Sequence, residues 1–217
     1  MPNLRVAADL QAFDDEVARM RRAFDALPGD PNDREWVKRK LAHMSAVDQF
    51  MRLQIDVLRS RGYSDEEAGL FWEGFGGRWE SIDRGNQAEL EKLLELYEWF
   101  KISEFGPEAE ADAWLLAQHA DHDLRFQKRI LSILERLLPS GETSGTSFAY
   151  LYDRVAVAEN RPQRFGTQGR CVGPGRWEPW PSEEPQALQA RRDALGLGPI
   201  EENIRRVSEQ CRGPEGG

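Results

Sequence analysis

The chain has 217 residues, 40% of them hydrophobic and 31% charged, with a net charge of −9 and a pI near 5.0. Such a profile fits a soluble globular protein of one large domain or two small ones. Its acidity argues against nucleic acid as the main partner, because phosphate binding needs a basic footprint. The opening MPNLRVAADLQAFDDEV has no basic stretch followed by an apolar one, so no secretion signal is expected. No run approaches the roughly 18 apolar residues of a membrane span, so no membrane partner is expected. Cys171 and Cys211 lie far apart in sequence; one disulfide is conceivable, but free thiols in the cytoplasm are the expectation.

Apolar residues at Val6, Leu10, Phe13, Val17, Met20, Phe24 and Leu27 step by three and four, which predicts a helix. Pro28, Gly29 and Pro31 stop it. A second helix is expected over about 32–61, with the stripe Val37, Leu41, Met44, Met51, Ile55 and Leu58. Asp48 interrupts that stripe, and Arg52 follows one turn later on nearly the same face. Ser64 and Glu67 form a capping box at the start of a short, glycine-interrupted helix. A further helical stretch should run from Trp79 to about Ser103, with Asp83 and Asn86 near its start.

Gly106 and Pro107 open the next helix, since proline suits the first turn. Nothing breaks the pattern from Glu108 to Leu138, so one long helix is predicted. Ser144 or Thr146 can cap a shorter helix, FAYLYDRVAVAE. Residues 160–185 are rich in proline and glycine and carry Trp177 and Trp180. They predict an ordered loop, clamped by these tryptophans, with a small hairpin around Gly173 and Gly175. Two last helices are expected near 186–195 and 200–211, followed by a flexible tail over 212–217. The fold class is mainly α: a single-domain helical bundle over 1–211, with a loop or small hairpin near residues 160–182.

On a wheel of about 100° per residue, the long helix gathers Leu115, Phe126, Ile130, Ile133 and Leu137 on one side. His119 and His122 fall inside that stripe and Asp123 at its edge, whereas Asp121 falls on the wet side. Unpaired polar groups on a buried face cost on the order of 1–3 kcal/mol each, so partners are expected. Asp48 and Arg52 on the second helix, and Asp153 and Arg154 on the FAYLYDRVAVAE helix, are the candidates. These faces are expected to meet in one polar cluster.

The runs WLLAQHADHDLRFQ, AYLYDRVAV and RPQRFGTQG, in that order, resemble a bacterial family of unknown function, domain of unknown function 6624. DQFMR (Asp48, Gln49, Arg52) and the pair Asp83 and Asn86 also fit its pattern. The resemblance spans roughly residues 40–211 and implies no activity. It implies that Gln118, His119, Asp121, Gln127, Tyr150, Asp153, Arg154, Gln163, Gly166, Thr167 and Gln168 belong to one site.

Histidine beside aspartate suits acid–base chemistry near neutral pH. His119, His122 and Asp153 are therefore the candidate catalytic residues. Asp48, Arg52, Gln118, Gln127, Tyr150, Arg154, Gln163, Thr167 and Gln168 are the candidate ligand contacts. The inward arginines Arg52 and Arg154 suit an anionic small molecule, or alternatively an internal ion pair with Asp48 and Asp153. Thr167 and Tyr150 are possible nucleophiles, but neither sits in a recognised signature. No cofactor is assigned; the alternative is a divalent metal on His119, His122 and Asp123, spaced for one helix face. The expected function is that of an enzyme or small-molecule-binding protein, with a pocket between the His119 helix and the 160–170 loop. The alternative is a non-enzymatic interaction or regulatory protein whose polar cluster fixes helix register.

Overall fold

The computed structural model describes residues 2–27 and 29–211, and only the backbone of residues 2, 3 and 56–59. Pro28, the side chain of Leu58 and the expected 212–217 tail lie outside the described residues. The protein is mainly helical with one two-stranded antiparallel hairpin. Among the described residues, no helix is long and apolar enough to cross a membrane. The chain divides into two compact units. The first comprises the described residues of Met1–Phe100 with Glu104–Ala120, and the second Lys101–Ser103 with those of Asp121–Gly217.

In the first unit, α1 (Pro2–Asp25) packs on α3 (Asp65–Leu94), and α2 (Arg34–Arg59) packs on α5 (Pro107–Gln118). The predicted stripe of α1 is realised as far as Phe24: Val6, Leu10, Phe13 and Val17 are buried together with Val47, Met51, Phe71, Phe75 and Ile82, whereas Leu27 lies beyond the helix and is exposed. Phe13 meets Phe75 edge-on, with ring centroids 5.3 Å apart. On α2, Val37, Leu41, Met44, Asp48 and Met51 are all buried. The capping box at Ser64 and Glu67 forms as its spacing predicts.

The helix it starts, however, does not stop at the glycines. α3 runs unbroken for 30 residues. Gly69, Gly76, Gly77 and Gly85 face open space, where a missing side chain loses no packing. Gly74 instead faces Leu10, whose methyl would lie 2.6 Å from any Cβ placed there. That glycine lets α1 approach α3 closely. A one-turn helix, α4 (Ile102–Phe105), precedes α5. Gly106 has φ +84° and Pro107 opens the first turn of α5, as expected.

The predicted long helix is two helices. α5 ends at Gln118, and α6 (Leu124–Leu137) starts after Asp123, whose carboxylate accepts the Phe126 N–H at 3.0 Å. Asp123 is an N-cap. The linker thus holds His119, Asp121 and His122, so a continuous helical wheel does not apply across it.

In the second unit, α6 packs on α7 (Gly145–Ala158), which Ser144 caps. The loop after α7 leads to β1 (Gly169–Gly173) and β2 (Arg176–Pro179), the hairpin expected around Gly173 and Gly175. Cys171 sits opposite Trp177 in the register, and Trp177 is buried. Two short helices follow, α8 (Leu188–Ala194) and α9 (Ile200–Ser208). Cys171 and Cys211 are joined in a disulfide, which corrects the free-thiol expectation. Cysteine usage therefore gives no argument for a reducing compartment.

Candidate functional site

The residues expected to form one cluster have separate partners, in separate units. In the first unit the centre is Asp48, on the buried stripe of α2 and fully inaccessible. Both its oxygens lie 3.0 Å from Nδ1 of His119, the C-cap of α5. Arg52, one turn along α2, donates from Nε and Nη2 to the same carboxylate at 3.1 Å. Its Nη2 also reaches Asp83 of α3 at 3.0 Å, and its guanidinium lies 4.6 Å over the Trp79 ring. Gln49 donates to Asp48 at 2.9 Å. Gln118 Nε2 sits 3.5 Å from Nε2 of His119.

This arrangement compensates a buried charge. Burial alone would raise the Asp48 pKa, but the hydrogen bonds and charges of His119 and Arg52 outweigh it and hold the carboxyl below its ordinary value. An ionised Asp48 accepts from Nδ1 of His119 and so favours the tautomer with the proton there. Ring orientation is then fixed, and Nε2 becomes the basic nitrogen. The His119 side chain keeps 12% exposure, whereas Asp48 has none.

The second unit is organised around Asp153 on α7. Its buried carboxylate accepts the backbone N–H groups of Arg164, Phe165 and Thr167 at 2.7–3.2 Å, and the Thr167 hydroxyl at 2.9 Å. Burial pushes this carboxyl up, and the four donors act against that shift. Gln163, also fully buried, donates to the carbonyls of Gln168 and Trp180 and accepts the Gln168 N–H. Gln168 in turn donates to the Thr167 hydroxyl. The amides and hydroxyl of the 162–169 loop therefore tie that loop to α7. Within the second unit, the Asp153 carboxylate faces loop amides.

Other expected site residues have different surroundings. His122 is exposed rather than turned inward, and Asp123 is spent on the α6 cap. Among the described residues, no group of three His, Cys, Asp or Glu side chains is disposed to hold a metal ion, so the helix-face set of His119, His122 and Asp123 is not assembled. Asp121 is exposed, as the wheel has it, yet engaged: Arg154 donates to both its oxygens at 2.7–2.8 Å and Gln127 at 3.0 Å. Arg154 is thus the ion-pair partner of Asp121. Tyr150 donates to Asn203 at 3.2 Å and accepts from Arg206 at 3.2 Å.

Sequence reasoning passed over Arg192, Asn203 and Arg206. Their signal is weak, since Asn203 and Arg206 form only an i, i+3 pair on a nine-residue helix. Neither a curated protein nor a solved structure matches the chain. The model of the family described as Family of unknown function (DUF6624) matches residues 36–213, a span that takes in Asp48, His119, Tyr150 and Asp153, and the chain belongs to that family.

Proposed function

We propose that the first unit carries an acid–base site in which His119 transfers protons to and from a small molecule and Asp48 orients it. The observation that carries this reading is the contact of Nδ1 with both oxygens of a fully buried carboxylate, on a ring that keeps partial exposure. A carboxylate fixed behind a histidine sets its tautomer and stabilises the imidazolium that forms on proton uptake. Arg52 and Asp83 hold Asp48 in place, so the orienting group does not have to reorganise during proton transfer. His122, exposed in the α5–α6 linker, has no part in this site.

A second reading has its own support. Arg52 bridges Asp48 of α2 and Asp83 of α3, and a buried ionic cluster can fix helix register without any chemistry. The two readings differ in how much folding depends on His119. Without it, Asp48 keeps Arg52 and Gln49. Under the acid–base reading, His119→Leu costs no more than about 1 kcal/mol, or about 2–4 °C in thermal midpoint for a chain of this size. Asp48→Leu takes the shared carboxylate from both Arg52 and His119, leaving Arg52 only Asp83, and costs about 3 kcal/mol. Thermal denaturation of the two variants decides: equal losses would make His119 a member of a structural network and remove the acid–base reading.

A further inference from the structure

The second unit holds a pocket of about 380 Å³ between α7, α9 and the loop joining α8 to α9. That volume suits a small metabolite. Arg192 lines it and is 2% exposed. The guanidinium donates to the carbonyls of Phe165, Leu197 and Gly198, but among the described residues no carboxylate bridges it. The charges of Asp153, Asp193 and Glu201 offset part of its own without bonding it, so the buried guanidinium still adds positive charge to the wall.

The rest of the wall is also built for an acceptor. Arg206 donates to the Tyr150 hydroxyl and to Oδ1 of Asn203 at 2.8 Å, and Tyr150 donates to the same Oδ1. These donors fix the amide orientation of Asn203. Its Nδ2, buried at the pocket wall on a residue 7% exposed, is then left without an acceptor. Arg205 stands at the rim. Glu202 and Glu209 also line the pocket, so three guanidiniums face two carboxylates in a chain whose net charge is −9.

We propose that this pocket binds a small organic anion through a carboxylate or phosphate group. Its oxygens would take the outward donors of Arg205 and Arg206 as forked partners, with the Arg192 guanidinium adding positive charge behind them. Neither His119 nor the acid–base reading enters this argument.

Isothermal titration of the full chain with inorganic phosphate, and separately with succinate, tests it against sodium chloride at matched ionic strength. Saturable binding of at least one oxyanion is expected; phosphate alone would identify a phosphoryl ligand and succinate alone a carboxylate. The rim variant Arg205→Gln/Arg206→Gln should bind at least tenfold more weakly. Asn203→Asp, which adds a negative charge to the wall, should abolish binding while circular dichroism reports the wild-type fold. No saturable heat from either oxyanion beyond that of chloride would overturn the proposal. So would a rim variant that binds as tightly as wild type.

Discussion

Asp48 and Asp153 are both buried carboxylates, yet their environments displace them in opposite directions. Asp48 is held below its ordinary value of 3.8 because His119 and Arg52 outweigh burial. On acidification the unfolded chain therefore takes up this proton first. Its contribution to stability is full above about pH 4 and is lost as the pH falls through the lower folded value. Asp153 is raised, because burial outweighs its four donors. Its contribution is full below about pH 4 and declines as the pH rises through the raised folded value. Urea denaturation between about pH 2.5 and 6 checks both signs. The stability gap between wild type and Asp48→Asn should close towards low pH, and the gap for Asp153→Asn should widen. A gap that stays constant for either variant contradicts the assigned direction. The sequence marks both aspartates as polar intruders on apolar faces, but spacing alone cannot separate a carboxylate that meets a histidine from one that meets loop amides.

At the scale of elements, the stripe of α1, the capping box before α3, the Pro107 start of α5 and the Ser144 cap of α7 were legible because each is a local signal. The α5–α6 break was not, since the linker has neither proline nor glycine and its flanks share an apolar period. Asp123 followed by a hydrophobic run was the available sign, and an N-cap reading of it would have dissolved the His119–His122 helix face. The glycines of α3 misled in the other direction, because a glycine on an exposed face weakens a helix without ending it. The hairpin was legible from Gly173 and Gly175, but its fastening was not, as a pairing across 40 residues leaves no local trace. That disulfide joins β1 to the segment after α9, and closing a loop of that length stabilises by about 4 kcal/mol in the chain-entropy account. Thermal scans with and without a reductant should show a midpoint lower by about 8–16 °C on reduction. An unchanged midpoint, with reduction verified by mass spectrometry, would mean the hairpin is held without it.

For the molecule as a whole, the sequence supplied the helical class, the family and the identity of the polar residues. Asp48 with His119 belongs to the first unit, and Asp153 with its loop belongs to the second. One boundary between the units falls between Ala120 and Asp121, inside the motif that read as continuous helix. Chemistry at His119 is the central claim, and its reaction with diethyl pyrocarbonate tests that claim most directly. Site-resolved mass spectrometry compares the rate at His119 with that at the exposed His122. Orientation by Asp48 predicts that His119 reacts faster than His122 despite its lower exposure, and that Asp48→Asn slows it at least tenfold. If His119 reacts more slowly than His122, and Asp48→Asn leaves its rate unchanged, the ring is a buried structural partner and the acid–base account is wrong.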